Sequence, residues 1–290
     1  MVTFFFKTKN NFGIILLLGD DKVIKVYNNG QEFLKENKSY LDTNKYIAVF
    51  FYLDAEVFYE ASNKNFAIKV EENKKKLLAI KLEPYNICLF GDKECLKDLL
   101  IFLKDNNYDS KGFLCPCDLG ELLLEISNDL ISKRYEKVIG MDFMEATSYT
   151  NPSSEEVEVA TSLDVDIIYK YAVSFIKECG LPDKPNKDKI LNNINNYRVI
   201  RRDGIVASMA YFSKSTYDSY RISYVYTEPR YRLLGLARIV VNNIKNEILD
   251  MGMIPTLNVD QKNPISNHIY ESLGFKKVFS QGVYTLKQKL

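Results

Sequence analysis

Val225–Ala237 (VYTEPRYRLLGLA) constrains what this chain can fold into more than any other segment. It begins inside Tyr220–Thr227, a run of aromatic and β-branched residues that reads as a strand. Glu228-Pro229 stops that strand, because proline has no N–H to give to a ladder. Gly235 then stands where a turn must open a long helix, Leu236–Met251, which Gly252 closes. N–H groups in the first turn of such a helix lack partners within it and converge on one spot. Together with the helix dipole they form a ready site for a phosphate. Gly235 and the small Ala237 let a diphosphate approach the backbone closely. Taken alone, R-x-x-G-x-A also fits a plain strand-to-helix turn.

A chain of 290 residues makes one large domain or two ordinary ones. With 46% apolar and 27% charged residues it has ordinary globular composition, which argues against disorder. Lys+Arg number 39 against 38 Asp+Glu, so no general electrostatic case exists for nucleic acid or an anionic membrane. The apolar runs Phe12–Gly19 and Ile47–Leu53 fall far short of the ~20 residues of a spanning helix. The N-terminus also lacks the succession of basic, apolar and small residues of a signal peptide. A soluble, cytoplasmic protein is expected.

The five cysteines (Cys88, Cys95, Cys115, Cys117 and Cys179) are odd in number and scattered, which is not a disulfide framework. Cys115-Pro116-Cys117 admits a metal or redox site or a pair of thiols at a strand end. With no second cysteine pair, and with the only histidine at His268, no metal site is expected. Seven of the eight arginines fall between Arg198 and Arg238. Their planar donor forks suit phosphate or carboxylate, so the cluster is either an anion site or a solvated face.

Thr147–Glu156 (TSYTNPSSEE) is a small-polar run that reads as a linker. Beyond it, Thr161-Ser162-Leu163-Asp164 fits a capping box opening a helix, with Val165, Ile168, Tyr169, Ala172, Phe175 and Ile176 at helical spacing. A short helix over Lys187–Asn195 is expected next. Strands follow at Tyr197–Arg202 and Ile205–Phe212, joined by the hairpin turn Asp203-Gly204. After the Leu236–Met251 helix come a strand at Thr256–Val259, a helix at Pro264–Leu273, and a final hairpin of Phe275–Ser280 with Val283–Leu286. Upstream, strands at Phe66–Val70, Leu77–Leu82 and Tyr85–Phe90 precede a helix at Glu94–Lys104. A strand at Phe113–Cys115, a helix at Leu119–Ser132 and a strand at Lys137–Met144 complete that half. The same order of elements occurs twice, which suggests an internal duplication.

Some 20 residues past the long helix's start lies Leu257–Phe275, a strand–Asn-Pro–helix–Tyr–Leu-Gly-Phe block. This block, with V-Y-T-x-P and R-x-x-G-x-A upstream of it, resembles the GNAT superfamily of acetyl-CoA-dependent N-acetyltransferases over roughly 157–290. The N-terminal half looks like a degenerate copy. The resemblance implies an α/β fold of two tandem GNAT-like domains, each a mixed, mostly antiparallel sheet flanked by helices. Residues 1–146 would form a degenerate domain without a cofactor loop, 147–156 the linker and 157–290 the acetyltransferase domain.

Carried over by position, the resemblance places Val225 and Thr227 where a splayed strand pairs its backbone with the pantetheine arm, and Tyr226 between them. Arg232, Leu233, Leu234, Gly235, Leu236 and Ala237 match the pyrophosphate loop, whose donors are mainly backbone amides. Asn263 matches an amide side chain that contacts the cofactor, and Ser266 lies one helical turn before Tyr270 on the site-facing side. Tyr270 matches the tyrosine that protonates the departing thiolate, a role that suits a phenol of pKa ≈ 10. The family's glutamate base falls on Arg221, so that base is missing. Glu228, Asp218 and Asp260 are the nearby carboxylates, and His268 is expected at the surface.

In the N-terminal copy, Leu89–Cys95 carries two acids where phosphates would sit, which is unfavourable at a helix start. That half is expected to be catalytically empty, shaping an acceptor pocket or a homodimer contact. The implied activity is acyl transfer from acetyl-CoA, the co-substrate, to an amine of a small molecule or peptide by direct attack in a ternary complex. The alternative is a non-catalytic acyl-CoA-binding or interaction protein on the same fold. The acceptor itself is not readable, although the loop Glu178–Lys189 is expected to help form its site.

Overall fold

A computed structural model describes residues 2–4, 14–17, 22–180 and 184–287. The chain forms two compact units, residues 1–141 with 279–290 and residues 142–278.

The first unit contains strands β1 (Val2–Phe4), β2 (Ile14–Leu17), β3 (Lys22–Tyr27), β4 (Phe66–Glu72), β5 (Lys75–Lys81), β6 (Ile87–Gly91) and β7 (Gly112–Pro116). Its helices are α1 (Gly30–Leu41), α2 (Lys45–Val57), α3 (Leu96–Asp105) and α4 (Cys117–Ile131). β1 to β6 form an antiparallel meander, and β6 then pairs in parallel with β7. Both faces of this sheet are covered. On β5, Leu77 and Ala79 pack with α3 and α4, while Leu78 and Ile80 pack with α1 and α2. Burial on both faces explains why these strands read as continuous apolar runs rather than alternating ones.

The second unit repeats the plan. After β8 (Tyr135–Glu145) come β9 (Glu158–Val159), α5 (Val165–Glu178), α6 (Lys187–Asn192), β10 (Tyr197–Arg202), β11 (Ile205–Lys214) and β12 (Ser219–Thr227). α7 (Leu236–Asp250), β13 (Ile254–Asp260), α8 (Pro264–Ser272) and β14 (Lys276–Leu286) complete the chain. β9 to β12 are antiparallel and β12 pairs in parallel with β13. α7 lays Leu236, Val240, Val241, Ile244 and Ile248 against one face of the sheet, and α5 covers the other with Ile168, Tyr171 and Ala172. The capping box before α5 is present, with the Asp164 carboxylate accepting the Thr161 N–H at 2.8 Å. Burial alone would raise the Asp164 pKa, but Arg201 and the Thr161 amide hold it below the usual carboxylate range.

Three expectations need correction. Phe275–Ser280 and Val283–Leu286 do not fold back as a hairpin; they belong to the single strand β14. Gly282 serves close packing there, since a Cβ would meet the Tyr284 ring at 2.7 Å. The C-terminal domain does not run to residue 290: Gln281–Thr285 pair antiparallel with β7, inside the first unit. Conversely, residues 142–145 of β8 lie in the second unit next to β13, and Ala146 N–H bonds Pro255 C=O at 3.1 Å. Each unit thus completes its sheet with a strand from the other half of the sequence.

The third correction concerns 147–156, which is not a free linker along its length. Lys245 of α7 is fully buried and donates to Ser148 O (3.1 Å), Thr150 Oγ1 (2.7 Å) and Leu273 O (3.0 Å). Asn246 reaches Thr150 O and Asn242 reaches Asn151 O, both at 2.9 Å. Residues 148–151 are a strap fastened to α7, and 152–156 are exposed and irregular.

Candidate functional site

The parallel ladder between β12 and β13 runs from Ser219↔Ile254 to Ile222↔Leu257 and stops there. Beyond Ile222 the two strands separate. On its other edge β12 stays paired with β11, but Met209 faces Tyr226 while Tyr211 faces Ser223, so β12 carries one extra residue. Tyr224 takes up this bulge with φ +50°. A bulge of this kind bends its strand and re-aims the side chains that follow. Tyr220, Ile222 and Val225 accordingly pack toward α7, and Tyr224 and Tyr226 toward α5. The backbone of Val225, Tyr226 and Thr227 therefore lies along the opened edge. Tyr226 is buried, 5.0 Å from the Tyr171 ring.

Glu228 accepts the Arg230 N–H at 3.1 Å and fixes a short turn, Pro229–Tyr231. Arg232–Gly235 then lead into α7, with Leu233 at φ +67° and Gly235 at φ +75°. A Cβ at Gly235 would meet nothing, so glycine is favoured here by its backbone conformation and not by a close neighbour. The first α7 bond to this turn is Ile239 N–H to Gly235 C=O, and no side chain caps the helix. The N–H groups of Leu236, Ala237 and Arg238 are thus free of intrahelical partners, with no acid in the first turn. By contrast, Asn263 caps α8 by accepting the Ser266 N–H at 3.0 Å. Leu236 sends its side chain into the core, so it offers this site only its backbone, whereas Leu233 is 98% exposed.

Tyr270 lies in α8 with 8% exposure, its ring edge-on to Phe275 at 6.2 Å and Ser266 one helical turn before it. Burial pushes its pKa up to about 12, with Cys179 a second, smaller cause. The phenol keeps its proton at neutral pH, as a proton donor must. Cys179, the residue after α5, was not foreseen near Tyr270.

The arginine cluster divides. Arg198 is buried against Glu247 of α7, with Nε to Oε2 at 2.8 Å. Arg201 pairs with Glu158 (3.0 Å) and Asp164 (2.9 Å), and Arg202 with Glu155 (2.7 Å). These three hold the unit together and do not form an anion site. Arg230, Arg232 and Arg238 stand beside the loop. Arg232 donates to Thr227 O at 3.0 Å and to both Glu178 oxygens, and its guanidinium sits 5.5 Å from the Tyr226 ring centroid.

Arg221 and His268 are exposed. The nearby carboxylates have structural work: Glu228 caps a turn, Asp218 accepts from Thr216 Oγ1 at 2.6 Å, and Asp260 accepts the Lys262 N–H at 2.8 Å.

At the corresponding junction of the first unit, Asp92 accepts the Lys76 N–H at 2.8 Å, and a Cβ on Gly91 would strike Lys76 O at 2.1 Å. That turn is filled by its own hairpin. Cys115 is core, and Cys117 opens α4 with the Lys137 ammonium 3.5 Å from its sulfur. Among the described residues, no group of three or more His, Cys, Asp or Glu is placed to hold a metal ion. No described helix is long and apolar enough to cross a membrane.

The opened strand pair, the glycine turn and the uncapped α7 N-terminus all lie within a segment that matches a known family. A family model described as FR47-like protein matches residues 202–283. An acetyltransferase of the GNAT family from Colwellia psychrerythraea superposes on 91% of this chain and 99% of its own, at TM-score 0.59 and 10% identity. The C-terminal half has the GNAT acetyltransferase fold. A GCN5-related N-acetyltransferase from Sphaerobacter thermophilus superposes on 82% of this chain and 84% of its own, at TM-score 0.57 and 12% identity. Both likenesses extend well beyond the second unit, in keeping with two GNAT-like units in tandem. No curated protein matches the sequence.

Proposed function

We propose that residues 142–278 bind acetyl-CoA and pass its acetyl group to the amine of a small molecule or peptide, in a cytoplasmic enzyme. The observation that carries this reading is the uncapped α7 N-terminus at the end of a strand whose ladder with β13 ends at Ile222. The amides of Gly235, Leu236 and Ala237 suit the diphosphate, and the edge of Val225–Thr227 suits the amide-bearing pantetheine arm. We assign Asn263 and Ser266 of α8 to the same cofactor site.

In the ternary complex the amine nitrogen attacks the acetyl carbon, the carbon–sulfur bond breaks, and the thiolate takes the Tyr270 proton. The amine's surplus proton leaves to water. A general acid of this kind contributes about 10²–10⁴-fold. The test is a CoA titration beside free-thiol release from acetyl-CoA over a panel of amines.

One observation favours a second reading, acyl-CoA binding without turnover. Arg221 stands at the position of the family's glutamate, and Asp218, Glu228 and Asp260 are each engaged in a turn. CoA binding without thiol release on any amine selects that reading.

A further inference from the structure

Six rings gather where α5 faces the bulge of β12. Tyr171, Tyr197 and Tyr226 are buried, as core rings are. Phe175, Tyr211 and Tyr224 are only half-buried, although they adjoin the buried three. Phe175 and Tyr224 have ring centroids 5.3 Å apart, Tyr211 and Tyr224 6.3 Å apart and edge-on at 80°, and Tyr197 and Tyr211 4.7 Å apart. The bulge creates this surface: its extra residue turns Tyr224 and Tyr226 together toward α5, beside the strand edge assigned above to the pantetheine arm.

The ionic groups at its rim are already matched. Glu178 is held by Arg232, and Glu228 lies 3.2 Å from Arg230. Burial pushes the Tyr197 phenol up, and the neighbouring Tyr211 and Tyr224 phenols push it further. A phenol hydroxyl offers hydrogen bonds without charge at physiological pH. An acceptor with an anionic group would find no free cation among these rings. A flat ring would find both a face and an edge to pack against.

We propose that the acceptor amine carries an aromatic body, received by the half-buried rings of Phe175, Tyr211 and Tyr224 beside the stretch of β12 that β13 leaves beyond Ile222. This rests on the acetyltransferase reading for its geometry, but its binding test does not need turnover. Phenethylamine and n-butylamine carry similar amino groups and differ in the ring. Each is titrated calorimetrically into the full chain, with and without saturating CoA.

Phenethylamine is expected to bind at least about tenfold more tightly. Phe175→Leu and Tyr211→Leu, both at half-buried positions, are expected to bring the two amines within about twofold and leave CoA affinity unchanged. The proposal is overturned by equal affinity for the two amines, by no detectable binding of either, or by a preference that survives both substitutions. It is also overturned if the ring preference belongs to the acyl group, so that benzoyl-CoA outbinds acetyl-CoA while the amines tie. Absence of CoA binding would remove the acetyltransferase reading instead, and the amine titrations on the CoA-free chain would still decide this one.

Discussion

Arg232 places Nη2 2.8 and 3.0 Å from the two carboxylate oxygens of Glu178, tying the loop that opens α7 to the last turn of α5. The same guanidinium belongs to the loop that leads into the proposed diphosphate site, so a bound diphosphate would compete with Glu178 for it. Both side chains are well exposed, at 42% and 50%, and such a pair is worth about 0–1 kcal/mol. Glu178→Gln should therefore tighten CoA binding by up to about fivefold at low salt, with the gain fading as salt rises. Arg232→Gln should weaken it by about tenfold or more, as loss of a charge-assisted bond does. Titration calorimetry on both variants checks this, and unchanged CoA affinity in Arg232→Gln would detach the arginine from the site.

Gly235→Glu should abolish CoA binding, because it sets a side chain and a negative charge at the mouth of an uncapped helix. Gly235→Ala isolates the backbone contribution. Alanine at φ +75° costs roughly 1–2 kcal/mol of strain but meets no atom, so the protein should remain folded and keep most of its CoA affinity. A folded Gly235→Glu variant with wild-type CoA affinity would remove residues 232–237 from the site.

The elements from Phe66 to Gly274 were legible because their signals are local. Asp203-Gly204, Pro229, Gly252 and the capping box at Thr161 all act within a turn or two of themselves. Gly282 misled because a glycine between two apolar runs looks the same whether it turns the chain or admits the Tyr284 ring. The exchange of final strands between the units was invisible for a deeper reason. β8 and β14 have partners far away in sequence, and strand composition does not say which of two similar edges a strand joins. α1 and α2 went unread because Ile47–Leu53 is apolar on nearly every position and lacks helical alternation. In the site, the loop and Tyr270 followed from a resemblance. Glu178 and the half-buried rings did not, although Tyr171, Phe175 and Glu178 recur at helical spacing on α5 and face β12.

The strap at 148–151 gives a stability prediction. Lys245 is buried, with its three donors each on an oxygen, and burial lowers its pKa. Lys245→Met keeps the stem but removes the donor to Ser148 O, Thr150 Oγ1 and Leu273 O, at about 1–3 kcal/mol. Limited proteolysis of the wild type should cut first in 152–156, which is exposed and irregular. In the variant, cuts should spread into 148–151. An identical cutting pattern would show that the strap is held by something other than Lys245.

Asp54 of α2 gives the first unit a pH signature. Burial pushes its pKa up to about 6, with the Cys88 sulfur 3.9 Å away. The folded chain therefore holds this proton more tightly than the unfolded one. The group is harmless below the unfolded value near 3.8 and costs stability progressively as pH rises through 6. Asp54→Asn should raise the melting temperature at pH 7.5 by roughly 2–4 °C, allowing for partial solvent screening. The gain should vanish at pH 4. A constant difference across that range would mean that the carboxyl stays ionised in the folded protein.

Tyr270→Phe separates chemistry from packing at the proposed reaction centre. The ring is buried beside Phe275 and stays in the variant; only the hydroxyl is lost. If the ring merely packs, the variant folds, binds CoA and turns over at the wild-type rate. If the hydroxyl gives its proton to the departing thiolate, kcat falls while CoA affinity barely changes, because that interaction forms in the transition state. Thiolate is a fairly good leaving group, so the loss should sit near the lower end of the range for general acids, about 10²-fold. Ser266→Ala adds a control. It removes the hydroxyl one helical turn before Tyr270 but leaves the proton, so it should cost far less than Tyr270→Phe. Equal losses in the two variants would indicate that the two hydroxyls act by ordering α8 and that the tyrosine is not the acid.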